Sequence, residues 1–451
     1  MTMEHPGTTA RAQPGLVAAI GRWDLTGLVI NTILGSGVFG LPMLVTGLLG
    51  AATPLGYLAA ALGIGVIVLC FAEVGAQFRA AGGPYLYASE AFGRFVGLQV
   101  GWVTWLMRIS AAAATARIFT TYLAVLWPAA GREPTQALLI TALFAVLGAI
   151  NIRGVRAGAD TSDLLVIAKL APLAVFAGAG LWFVRGANFF SWPVGAGAAP
   201  GRWVEAVLLL IFAFGGFDNA MFPASEMRDP RRDVPFALLV GAGVVAVFYL
   251  SIQVVFQGTV NAAALHTGLA GSLQTQPLAV AAASFLGRPG AWLIAVGAMV
   301  SIWGWFAATI LGTPRLTFAM SERGDLPRLL AAVHRRFRTP YVSILLYVAA
   351  SWGLAMAGNF AWNASLSAVA RLVTYGATCA ALPVFRRRHP SAAVFRVRGG
   401  WLLPGLGLAF CLVLLSQIGR IELALLAATS AIASMTWLAT RCGVKAGRLS
   451  S

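Results

Sequence analysis

The chain has 451 residues, of which 59% are apolar and only 10% charged, with a mean hydropathy of +0.81. A soluble globular domain carries about 45–50% apolar and about 25% charged residues, so this composition excludes a water-soluble protein and points to a membrane bundle. Thirty-two basic residues against 15 acidic ones give a net charge of +17, which makes nucleic acid a rival partner until the charges are placed.

Residues 1–22 form a polar tail containing Pro6, Gly7, Pro14 and Gly15. A basic region followed by an apolar core and a cleavage site is not evident there, so no removable signal peptide is expected. Apolar stretches of about 17–25 residues then predict twelve helices. They lie near 23–46, 53–77, 95–126, 136–152, 161–184, 203–225, 235–258, 291–320, 341–358, 363–386, 401–417 and 421–440. The moderately polar segment 261–287 is read as an extracellular lid rather than a further span. Residues 441–451 form a second tail.

An even helix number puts both termini on one side of the membrane. That side holds 22 of the 32 Lys and Arg, the other side five, and the spans themselves five. The positive-inside rule makes the rich side cytoplasmic. Clusters such as Arg335-Arg336, Arg386-Arg387-Arg388 and Arg396/Arg398 sit beside span ends, where they fix orientation and meet anionic headgroups. Without interleaved aromatics they do not form a nucleic-acid groove. The four cysteines are scattered and the four histidines (5, 266, 334, 389) isolated, so neither disulfides nor a metal site is expected.

Two glycine clusters interrupt their spans. Helix 1 contains Gly35-Ser36-Gly37-Val38-Phe39 and then Pro42; helix 6 contains Gly215-Gly216-Phe217-Asp218 and then Pro223. Either cluster alone reads equally well as a small-residue packing surface. Both at matching positions, each opening a block of five helices, point to an inverted-repeat transporter with a midplane site. Glycine lets backbone unwind, and unwound backbone at membrane depth persists only around a cavity or ligand. The half-helix starting near Val38 offers amides and a positive dipole end to a carboxylate. The carbonyls ending the preceding half can accept from an ammonium group. Such a site suits an amino acid head group.

These residues also carry a family resemblance. Gly35-Ser36-Gly37-Val38-Phe39 resembles the GSGIF motif of amino acid–polyamine–organocation (APC) permeases. Glu73, Gly82-Gly83-Pro84-Tyr85 and Phe92-Gly93 resemble the stretch after their helix 2. Gly216-Phe217-Asp218 through Ser225-Glu226 to Val234-Pro235 resembles their helix 6 signature. Pro314-Arg315, Arg323-Gly324-Asp325-Leu326-Pro327 and Thr339-Pro340 continue the match in order along the chain. The resemblance implies an all-α integral membrane protein with a LeuT-like five-plus-five core. Residues 23–398 would form that core, with repeats 23–184 and 203–386, and helices 11 and 12 (399–440) would be peripheral. By position, Ile33, Ser36 and Gly37 would meet the substrate head group. The carbonyls of Phe212 and Gly215 would complete the ammonium site, with the Phe212 ring as a gate.

Charges inside spans are functional candidates by default. Lys169, one of two lysines in the chain, lies mid-helix 5. A buried lysine can change protonation, and in several APC members a helix 5 lysine stands where sodium binds in relatives. It is a candidate proton-coupling group or fixed surrogate cation. Asp218 stands where the family commonly has glutamate, and could sense protons, pair with an arginine or face an ammonium. Arg108 and Arg117 share helix 3 but face opposite ways. Arg108 grips an anionic substrate group, neutralises Asp218 or is purely structural; Arg117 packs against a neighbour or snorkels. Glu73, Glu226 and Arg315 are expected in ion pairs at span ends. Trp303, Trp305 and Thr309 on helix 8 are candidate pocket residues, and Arg371 has no assignment.

No phosphate-binding loop and no nucleophile with a spaced base are present, so neither an ATP-driven pump nor an enzyme is expected, and no cofactor is implied. The reading is a secondary transporter of the cell membrane for amino acids or polyamine-like cations, proton-coupled or exchanging. The rivals are an amino-acid sensor of transporter shape and the light chain of a heteromeric transporter. Oligomeric state stays open.

Overall fold

The computed structural model describes residues 21–78, 82–154, 159–192, 199–221, 227–388, 395–397 and 399–449. Among them the chain is helical, with no strand. Predicted helix 1 is divided into α1 (Arg22–Ile33) and α2 (Gly37–Leu49), and α3 (Thr53–Gly75) follows a turn made at Gly50. Next comes α4 (Gly83–Phe92), a short helix where the sequence reading placed only a connection. Pro84 lies in its first turn, a position whose N–H is unpaired in any helix. Then come α5 (Arg94–Leu126), α6 (Glu133–Arg153), α7 (Ala159–Leu181) and the short α8 (Gly186–Ser191).

Predicted helix 6 is also divided, into α9 (Pro200–Phe214) and a 3-10 turn over Phe217–Met221. The remaining helices are α10 (Pro230–Thr259), α11 (Ala270–Thr275), α12 (Pro277–Glu322), α13 (Tyr341–Ala357), α14 (Phe360–Arg388), α15 (Leu402–Leu415) and α16 (Arg420–Leu449). The expected lid, 261–287, holds short helical turns and the start of α12, which bends at Gly287 (φ 67°). Among the described residues, eight helical stretches are long and apolar enough to cross a membrane, and three shorter apolar helices accompany them.

The centre of the bundle is α5 against α14, with α12, α13 and α4 also packed on α5 and with α9 between α2, α3 and α14. The run Ala111–Ala114 on α5 is buried throughout; such small side chains let neighbouring helices close up. Ser367 of α14 donates to the Met107 carbonyl of α5 at 2.8 Å. Both α15 and α16 lie on the outside of this core, α15 against α14 and α3, α16 against α5.

Buried charge at the bundle ends is paired. Glu73, fully buried at the end of α3, accepts Arg386 Nε and Nη2, each at 2.6 Å, and the Val397 amide at 3.0 Å. Asp325 accepts Tyr85 Oη and Arg94 Nη2, again each at 2.6 Å. Burial, with Asp325 beside it, pushes the Tyr85 hydroxyl up to about 12, so it holds its proton and donates. Arg117 donates to the Ala355 carbonyl and to Gln136, each at 2.7 Å, which is the packed alternative foreseen for it. Two expectations fare differently. Arg315 is exposed and enters no ion pair with a described residue, while Glu226 lies outside the described residues.

Removing one partner of a buried ion pair costs about 3–5 kcal/mol, whereas exposed pairs contribute about 0–1 kcal/mol. Glu73 and Arg386 are 0% and 10% exposed, whereas Arg94 is 63% exposed and its buried partner Asp325 keeps the Tyr85 hydroxyl when Arg94 is lost. Glu73→Gln should therefore lower the thermal midpoint of the detergent-purified protein several times further than Arg94→Gln. Equal shifts would contradict the different burial of the two pairs.

Candidate functional site

The site begins with backbone. α1 ends at Ile33 and α2 starts at Gly37, leaving Leu34, Gly35 and Ser36 between them. α9 ends at Phe214, and Gly216 takes φ +114°, a conformation open mainly to glycine. The two breaks press on each other. A Cβ added at Gly216 would strike the Thr32 carbonyl, and one added at Gly37 would lie 2.7 Å from Ala213 Cα.

Carbonyls released by these breaks are served from behind. Lys169, 0% exposed on α7, donates to the Asn31 carbonyl at 2.5 Å and to the Leu34 carbonyl at 2.9 Å. Ser301 of α12 also reaches the Leu34 carbonyl, at 3.4 Å. Tyr249 of α10 places its hydroxyl 3.1 Å from the Ile33 carbonyl and 3.2 Å from the Ala213 carbonyl, one donor between the two broken helices. The amide end is different. Ser36, at the start of α2, makes no side-chain cap there; its hydroxyl lies 2.8 Å from that of Thr115. Amides at an uncapped helix start, with the dipole behind them, suit an anion.

A cavity lies between the breaks. All eight sequence candidates for substrate contact line it: Ile33, Ser36, Gly37, Arg108, Phe212, Gly215, Asp218 and Thr309. Lys169 does not; it stands behind α1 with its ammonium on the break. The Phe212 ring meets Phe360 edge-on, with centroids 5.9 Å apart. On α12, Trp305 lines the cavity beside Gly35, whereas Trp303 is 39% exposed and points away. A two-residue step on a helix turns about 200°, so Trp303 and Trp305 cannot share a face.

A charged cluster forms one wall. Asp218 Oδ2 accepts Arg108 Nη2 at 2.9 Å, and Oδ1 accepts the Tyr375 hydroxyl at 3.1 Å. Arg371 Nη1 lies 3.5 Å from the same Oδ1. Of the three roles open to Arg108 in the sequence, the geometry displays the pairing with Asp218; Arg108 also bonds Asn219. Sequence reasoning missed Tyr249 and Asn219 and left Arg371 unplaced. The signal for Arg371 was present, as a charge in mid-span; Tyr249 sits in an apolar run where a tyrosine draws no attention.

The family model described as amino acid permease matches residues 20–437. The chain belongs to the amino acid permease family. This confirms the resemblance read from the helix 1, helix 2 and helix 6 motifs. The permease is 33% identical over 345 residues to the serine/threonine exchanger SteT of Bacillus subtilis, covering 74% of this chain and 76% of that one. It is 27% identical over 419 residues to the methylthioribose transporter of the same organism, covering 88% and 87%. With the b(0,+)-type amino acid transporter 1 of Oryctolagus cuniculus it shares 27% identity over 393 residues, covering 85% and 78%. The permease is thus a multi-pass membrane protein and a transporter, not an enzyme.

Leaving a buried acceptor without its donor costs about 1–3 kcal/mol. Tyr249→Phe takes the hydroxyl from the Ala213 carbonyl, while the Ile33 carbonyl keeps the Gly35 amide at 2.8 Å; with little change of volume, it should destabilise the permease by about that amount in thermal unfolding. An unchanged midpoint would mean that another group serves the Ala213 carbonyl.

Proposed function

We propose that the permease moves amino acids or related organic cations across the cytoplasmic membrane by alternating access, as a proton-coupled or exchanging secondary transporter. The observation that carries this reading is the pair of broken helices set against one cavity, with carbonyls served by protein and the α2 amides uncapped. In this reading the substrate carboxylate takes the amides after Ser36, and its ammonium takes carbonyls of the α9 break at Phe212 and Gly215. Ile33, Gly37 and Thr309 shape the pocket, and the Phe212 ring closes it. Relatives named for serine and threonine exchange and for branched-chain amino acid permeation support an amino acid as cargo.

The same reading arranges the chain as twelve spans with both termini cytoplasmic. Repeats 23–184 and 203–386 form the moving core, and helices 11 and 12 stand beside it. Lys169 is assigned the coupling role: its charge holds the Asn31 and Leu34 carbonyls, so losing the proton weakens the joint on which α1 turns. Asp218, bonded by Arg108, anchors the cluster wall.

Reconstitution into liposomes with labelled amino acids and polyamines, with and without an inward acid gradient, tests the proposal. Uptake or counterflow of at least one amino acid is expected. None, from protein shown to be folded, overturns transport. Lys169→Ala should flatten the pH profile of whatever flux is found, and a profile of unchanged shape removes Lys169 from coupling.

A further inference from the structure

The polar groups around the cavity do not balance. Its hydroxyls are engaged: Ser36 with Thr115, Thr309 with the Trp305 carbonyl at 2.9 Å, and Thr32 with the Leu28 carbonyl at 2.9 Å. Left over on the wall are donors. Trp305 Nε1 and Arg371 Nε are buried without an acceptor among the described residues. Arg371 is 5% exposed, and its bonds to described residues all leave from Nη1, to the Tyr375 hydroxyl at 3.2 Å and toward Asp218 at 3.5 Å. Asp218 is already engaged at shorter range by Arg108 and Tyr375, so Arg371 is its most distant partner.

The guanidinium lies beside Gly215, where any Cβ would land on it. The α9 break therefore lets the arginine pack directly against the Gly215 backbone at the cavity wall, closer than any side chain there would allow. A guanidinium presents a planar fork matched to a carboxylate, and burying it partly served is costly.

We propose that Arg371 is a specificity-determining residue that receives a second carboxylate, on the side chain of the substrate. The preferred cargo is then a dicarboxylic amino acid, with its head group on the α2 amides and its side chain toward Arg371. Asp218 holds part of the arginine when the cavity is empty and competes with the incoming carboxylate. This rests on the cavity being the amino acid site.

The test compares each acid with its amide, which differ only at the side-chain terminus. Binding of L-aspartate, L-asparagine, L-glutamate and L-glutamine to the purified permease is read by ligand-induced thermal stabilisation. A bidentate charged contact predicts that one acid binds about tenfold or more tighter than its amide. Arg371→Gln should bring that ratio to about one, and Asp218→Asn should widen it, so that a folding failure of either variant leaves the other to decide. Amides binding as well as acids in the unsubstituted permease would overturn this assignment and leave transport of neutral amino acids standing. A ratio that survives Arg371→Gln, or that narrows or stays fixed in Asp218→Asn, would also overturn it. Binding of none of the four, nor of any other amino acid, would overturn the cavity as an amino acid site and this inference with it.

Discussion

Backbone that leaves a helix within an apolar bundle must have its N–H and C=O groups served by something other than water, and the permease is organised around that demand. The two breaks release carbonyls and amides together, but the protein treats them unequally. Lys169, Ser301 and Tyr249 come from three different helices to serve the carbonyls. The amides of α2 receive no cap from the Ser36 side chain. The unmet side-chain hydrogen bonding on the described cavity wall is donating in character, from Trp305 and Arg371. A cavity of this kind attracts what carries acceptors.

The scaffold behind the breaks explains why they stay broken. Gly37 lets α2 approach α9 at Ala213, and Gly216 lets the α9 break approach the Thr32 carbonyl of α1, to distances that no Cβ allows. Regular helix at either place would separate them. The close approach is held by the packing of α9 between α2, α3 and α14, and α14 is in turn registered on α5 through contacts such as Ser367 with Met107. The ion pairs at Glu73 and Asp325 tie the ends of the same helices.

Much of this was legible before any coordinates, for identifiable reasons. Glycine clusters announce a break because nothing else in a span explains them in matching pairs, and Asp218, Arg108 and Lys169 stand out because charge in a span is expensive. The α4 helix was not legible, since ten residues with a weak apolar pattern resemble any connection. The sequence suggests an ion pair for Arg315, which stands exposed, because position beside a family motif says nothing of which acid lies within reach. Tyr249 was invisible for a subtler reason. Its role depends on the distance between two carbonyls that are 180 residues apart in the chain, at Ile33 and Ala213, and no local pattern encodes that distance.

The same tyrosine carries a kinetic implication. One hydroxyl has one proton, yet it stands between acceptors on both broken helices. Any displacement of α1 relative to α9 must choose which carbonyl keeps it. A neutral hydrogen bond is worth about 1 kcal/mol net, enough to bias a two-state population about fivefold and far too little to trap it. Tyr249 is placed to act as a detent, a shallow notch that marks one resting geometry of the two helices while thermal motion frees them from it.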